Sequence, residues 1–335
     1  DSDGAELMPA IVVAGDVGGT KTHLGLYQLA ENKLSSIRDH TYVTRDFPSL
    51  EATLTDFLAD AGRVNAACFG VPGPVIDRVS HATNVPWDMR EQAIASSLGG
   101  AATRLVNDLE ATSYGLLQLE DSQFAVLQRG ESHRTAASIA VIAAGTGLGE
   151  GALVATGDSW HSIASEGGHA DFAPRGKTQV ELLEFLTREF DHVSFERVLS
   201  GPGLHNIYRF LVAASPGNEP EWLVGRMRTE DPSAVISEAA LSGKDATCKR
   251  ALEMFVEIYG AEAANLALKF LAMGGVYLGG GIAPKILPML EQDKFMRAFL
   301  NKGRLKSTLE RIPVRVSLNP AAALVGAAHI ARTML

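Results

Sequence analysis

The chain has 335 residues, 46% hydrophobic and 21% charged; this is the balance of a soluble globular protein, and the length exceeds the ~250–300 residues at which a single core stops growing, so two domains are expected. A formal net charge of −9 without any Lys/Arg cluster excludes a general binder of nucleic-acid backbones. Cys68 and Cys248 form no Cys-x-x-Cys pair, which excludes a disulfide framework and a thiolate zinc site and fits a reducing cytoplasm. No apolar run approaches the ~18–20 residues of a membrane span. The acidic first residues do not read as a signal peptide, and Met8 is the expected natural start.

The first element is a strand, Ile11-Val12-Val13-Ala14, leading into Gly15-Asp16-Val17-Gly18-Gly19-Thr20-Lys21-Thr22 and out through the alternating run His23–Tyr27. Gly18 and Gly19 carry no Cβ, so the backbone can take positive φ in a hairpin turn and present several N–H groups to one anion. Asp16 then stands where it can hold a metal ion beside that anion. A Walker A loop is rejected, because Thr20 replaces the glycine before Lys21 and a strand follows instead of a helix. An ordinary strand-joining turn remains the alternative reading.

Residues 33–43 read as a third strand, and Leu50, Leu54, Phe57 and Leu58 as one face of a helix after Pro48. Val64–Gly70 is a further strand, stopped by the loop Val71-Pro72-Gly73-Pro74, which is either a plain turn or a site wall at a strand's carboxyl end. Asn84 and Trp87 lie in the next loop, and Asp88 is the expected N-cap of a helix running to Leu98. A strand from Thr103 ends at Asn107-Asp108, followed by helical spacing through Leu116, so Asp108 sits at a strand-to-helix junction as either a cap or a functional carboxylate.

Residues 121–135 read as an irregular linker. Ser138–Ala144 restarts a sheet and enters a second glycine-rich turn, Gly145-Thr146-Gly147-Leu148-Gly149-Glu150-Gly151, followed by strand-like Ala152–Ala155. A dinucleotide fingerprint requires a helix there, so the Rossmann reading fails and a second strand-turn-strand phosphate loop is expected. Glu166-Gly167-Gly168-His169 sets a carboxylate and an imidazole around two glycines, suited to a hydroxyl-rich ligand. Gln179–Phe190 reads as a helix, Glu196 as a solvated side chain before the Gly201-Pro202-Gly203 break, and Lys249–Ala272 as one long buried helix. Gly274–Ala283 is a strand ending in Gly279-Gly280-Gly281, with a helix expected from Pro284. Pro313–Leu318 is a late strand, and an alanine-rich helix closes the chain from Ala321 to Met334.

Asp16-Val17-Gly18-Gly19-Thr20, Thr83-Asn84, Asn107-Asp108, Gly145–Gly149, Glu166–His169, Glu196 ahead of Leu199–Gly203, and Gly279–Gly281 occur in an order that resembles the bacterial glucokinase family over residues 10–335. The resemblance implies an α/β, two-lobed actin-like ATPase fold of the hexokinase type, with ribonuclease-H-like sheets and an interlobe cleft. Residues 1–117 with 319–335 would form the small lobe and 118–318 the large one. It implies ATP, with phosphate contacts from Gly15, Asp16, Val17, Gly18, Gly19, Thr20, Gly145, Thr146 and Gly147, and adenosine beside Gly279, Gly280 and Gly281. Mg²⁺ would be held by Asp16 through water. The sugar would meet Asn84, Asn107, Asp108, Glu166, His169 and Glu196, with Asp108 as catalytic base. Ala170–Pro174 lacks the cysteines of the zinc-bearing relatives, so no zinc is expected. Glucose and ATP are the implied ligands, with no nucleic acid, no membrane and a homodimer. A kinase for another hexose or amino sugar, or a sugar-binding regulator, is the alternative, and Lys21 has no assigned role.

Overall fold

The computed structural model describes residues 9–31, 33–82, 85–131, 137–157, 159–215 and 219–335. The chain divides into two compact units, one of residues 1–120 with 319–335 and one of residues 121–318. No helix among the described residues is long and apolar enough to cross a membrane.

The first unit holds strands β1 (Ala10–Val17), β2 (Lys21–Ala30), β3 (Lys33–Val43) and β4 (Ala66–Val71), a small sheet of β5 (Val75–Ile76), β6 (Val79–His81) and β7 (Asp88–Arg90), and β8 (Ala102–Asn107). The main sheet runs β3-β2-β1-β4-β8, antiparallel among the first three strands and parallel from β1 to β4 to β8. Alternation along β1 sends Val13 and Val17 to a core with helices Leu50–Phe57 and Glu91–Ser97. Val12 and Ala14 go to the opposite core, with the closing helix Ala322–Arg332. That helix lies against helix Asp108–Leu116 at Gly115 and Gly326, where either missing side chain would strike the other helix's backbone. Two glycines thus return the last residues of the chain to the first unit.

The second unit holds β9 (Phe124–Gln128), β10 (Ile139–Ala144), β11 (Leu148–Thr156), β12 (Ser159–Ile163), β13 (Gly275–Gly279) and β14 (Val314–Ser317) in the order β12-β11-β10-β13-β14-β9. Its first five positions repeat the pairing of the first sheet: two antiparallel ladders, then two parallel ones. The long helix Ala246–Phe270, capped by Asp245 and ended by Leu271 in the left-handed region, supplies much of its core.

Several local expectations are corrected. The stretch 121–135 is not simply irregular, because β9 pairs antiparallel with β14 as an edge strand. Asp88 does not cap a helix: it belongs to β7, its Oδ1 lies 2.8 Å from His81 Nδ1, and the cap position falls to Arg90 without a side-chain bond. Extended pairing with β6 outcompeted a local cap. The helix expected over 179–190 spans Gly176–Leu186, and after β13 the chain turns before a short helix, Leu287–Leu290, instead of starting one at Pro284. Neither Gly18 nor Gly19 adopts a positive φ.

Candidate active site

In the first unit the candidate residues collect at the carboxyl ends of β1, β4 and β8. Asp16 pairs with Gly70 in the parallel ladder and follows Val12 and Ala14 in alternation, so it shares their face. Gly70 faces the same way: a side chain there would approach Ala111 Cβ at 3.0 Å and Asp108 Cα at 3.6 Å. The bare strand therefore lets the first turn of helix Asp108–Leu116 settle against Gly70, the ladder partner of Asp16. Asn107 caps that helix, its Oδ1 accepting from Leu109 N at 2.9 Å while Nδ2 donates to Gly73 O at 3.0 Å. One amide thus ties both the helix start and the Pro-Gly loop. Asp108 is half-buried, and its Oδ1 also accepts from Leu109 N, at 2.8 Å.

Burial raises the Asp16 carboxyl above its ordinary range, with His23 acting in the opposite direction. No hydrogen bond or ion pair engages its carboxylate among the described residues, so a hard cation fits it. No group of three or more His, Cys, Asp or Glu among the described residues is placed to hold a metal. A Mg²⁺ ion here would take this one protein oxygen, directly or through water, and draw its other ligands from water and phosphate.

The first hairpin is held from behind by a residue that the sequence reading passed over. Thr44 Oγ1 donates to Gly18 O at 2.7 Å and lies 2.9 Å from Thr22 Oγ1, and Thr44 N donates to Thr20 O at 3.0 Å. Two turn carbonyls are thereby pinned. Gly15 is a packing glycine, since a Cβ would come within 2.5 Å of the Phe69 ring. At Gly18 a Cβ would meet Lys21 O at 3.0 Å, so small size and not positive φ explains this glycine. Thr20 and Lys21 are exposed at the tip, and Val17 is buried. Asn84 lies outside the described residues.

In the second unit the candidates are stacked on the first residues of β11. Gly145 N donates to Gly147 O at 2.8 Å, and Gly201 N, at the start of helix Gly201–Ala214, donates to Gly145 O at 2.8 Å. Thr146 is exposed at the tip. Glu196 is not a solvated side chain: its Oε2 accepts from Leu148 N at 2.9 Å and would lie 2.6 Å from a Cβ at Gly147. Gly168 packs on the Leu148 carbonyl and Gly167 on the Glu150 carboxylate, leaving no room for a side chain at either position. Glu166 and His169, on either side of this glycine seat, are exposed, with 4.0 Å between Glu166 Oε2 and His169 Nε2. Gly279 pairs with Ala143, Gly280 takes φ +76° against the end of β10, and Gly281 is open.

Glucokinase is the family whose profile matches the chain, over residues 13–334. A glucokinase of Trichormus variabilis is 41% identical over 335 residues, with 95% of this chain and 98% of that protein covered. A glucokinase of Klebsiella pneumoniae is 38% identical over 330 residues, covering 98% and 99%. The crystal structure of a glucokinase from an Antarctic psychrotroph superposes with a TM-score of 0.83 at 28% identity, over 96% of this chain and 99% of that one. The two repeated sheets are those of the actin-like two-domain fold that such sugar kinases share. With the match running from β1 into the closing helix, the chain belongs to the glucokinase family.

Proposed function

We propose that the protein transfers the γ-phosphoryl group of ATP to the 6-hydroxyl of glucose, giving glucose 6-phosphate and ADP in the first step of glycolysis. The observation that carries this reading is similarity along nearly the whole chain to proteins named glucokinase. Asp108, at the head of its helix, accepts the hydroxyl proton as the oxygen attacks. Asn107, Glu166, His169 and Glu196 bind sugar hydroxyls, as does Asn84. Gly15–Thr20 and Gly145–Gly147 take the phosphates, and Gly279–Gly281 lie by the adenosine. Asp16 would hold Mg²⁺ through water, and the ion would supply charge neutralisation at the phosphates. Phosphoryl transfer asks little covalent work of the protein, so catalysis here is positioning and charge stabilisation. A cytoplasmic homodimer completes the proposal, on family resemblance alone.

A coupled assay over glucose, mannose, fructose and N-acetylated amino sugars, each with ATP, ADP or polyphosphate, tests the reading. Glucose with ATP is expected to give the highest kcat/KM. Preference for another sugar or donor would replace that assignment, and no turnover with any pair would leave a sugar-binding regulator. Asp108→Asn should lower kcat by about 10²–10⁴-fold, the usual scale of general-base assistance.

A further inference from the structure

Glu150 is the third residue of β11 and is 1% exposed, and neither of its carboxylate oxygens has a hydrogen-bond partner among the described residues. A buried polar group left in that condition is costly and calls for an explanation. The long helix Ala246–Phe270 brings Glu262, Lys269 and Tyr259 into its electrostatic surroundings. Glu262 is also fully buried, its Oε1 has no hydrogen-bond partner among the described residues, and burial raises its carboxyl, but it has partial support that opposes this rise: Asn265 Nδ2 donates to its Oε2 at 2.7 Å, Lys269 Nζ lies 3.6 Å from its Oε1, and Lys302 reaches Asn265. Glu150 has no such support. On its other side stands the glycine seat, where a Cβ at Gly167 would fall 2.6 Å from Glu150 Oε2 and 3.0 Å from Ser165 Oγ.

We propose that Glu150 is a positioning residue for the Glu166–His169 segment, which it supports beneath Gly167 as a neutral carboxylic acid, and that loss of its proton releases the segment and weakens glucose binding. The inference rests on the glucose-kinase reading. An ionised Glu150 would face the Glu262 carboxylate without a cation of its own and would have to reach water. Gly167 stands over Oε2, its N–H held by Ser165 Oγ at 2.9 Å, so hydration there displaces the backbone that carries Glu166 and His169. The electrostatics agree: burial, reinforced by Glu262 and opposed by Lys269, pushes the Glu150 carboxyl up to about 8. For an acid whose pKa rises on folding, the stabilisation is complete below the ordinary carboxyl range and is lost as the pH climbs to about 8.

The test is kcat/KM for glucose, with ATP and Mg²⁺ saturating, from about pH 6 to about pH 9. With binding confined to the protonated form, linkage predicts a fall of about tenfold between about pH 7 and 9, with kcat at saturating glucose nearly constant. Glu150→Gln, neutral and close in shape, should flatten that fall and should retain a higher kcat/KM than Glu150→Ala. Glu262→Gln, which removes the facing charge, should move the fall to lower pH. In thermal melts, which need no turnover, the alkaline loss of Tm in the native protein should be reduced in Glu150→Gln. A flat native profile, a Glu150→Gln profile that overlays the native one, or an unmoved fall in Glu262→Gln overturns the role of Glu150. Absence of glucose phosphorylation at every pH overturns instead the reading on which it rests.

Discussion

The two glycine hairpins occupy the same place in two sheets of the same pairing order, yet they are secured by different chemistry. The β1–β2 turn is held by neutral groups of Thr44, whose hydroxyl draws in the Gly18 carbonyl and leans on Thr22 while its backbone N–H takes the Thr20 carbonyl. The β10–β11 turn is held by a carboxylate and a helix start, Glu196 taking the N–H of Leu148 and Gly201 donating to Gly145. Their carboxylates differ as well. One residue before the last pair of each ladder, β1 has Asp16 and β10 has Ala143. The second hairpin carries its acid at Glu150, buried after the turn instead of standing before it. A repeated fold has thus been divided in labour: the first copy keeps an unpaired oxygen fit for a cation, and the second spends its acids on holding loops in place.

Asp16→Asn should break this contrast most strongly, weakening apparent Mg²⁺ affinity by about 10–100-fold, the scale found when metal-supporting groups are lost. A titration of activity against Mg²⁺ checks it, and an unchanged midpoint would leave the two hairpins alike. Glu196→Ala comes next. It strips the acceptor from Leu148 N–H, a loss of about 1–3 kcal/mol, and should raise KM for ATP and glucose together, because β11 carries both the turn and the glycine seat. Steady-state kinetics would show a rise in only one of them if the coupling is absent. Thr44→Val is the mildest, about 1 kcal/mol from the lost Gly18 bond, seen as a raised KM for ATP with glucose KM unchanged. Thr44→Ser should restore the native value, and a Thr44→Val enzyme with native ATP KM would remove Thr44 as the anchor.

Much of this division could be read before the fold was known, because its signals are local. Apolar runs broken by Gly18-Gly19 and Gly145–Gly147 marked both hairpins, and Asn107-Asp108 stood visibly between a strand and a helix. The failures share one cause. Asp88 has the composition of a cap, but pairing with β6 decides its backbone. Residues 124–128 look irregular until β14, far along the chain, offers them a ladder. Glu196 has a solvated look in its own segment, and only the return of that segment to β11 gives its carboxylate an N–H to hold.

What the amino-acid sequence determined alone is the order of strand, turn and helix, the two phosphate-loop candidates and the family pattern, since backbone conformation and alternation depend on near neighbours. Tertiary structure alone decided which side chains brace those loops: Thr44 behind the first hairpin, Glu196 on the second, and Glu150, within reach of the Glu262 charge, beneath the glycine seat. Burial and charge act through space. A glutamate on a strand and another on a distant helix become one electrostatic unit only when packing removes the water between them.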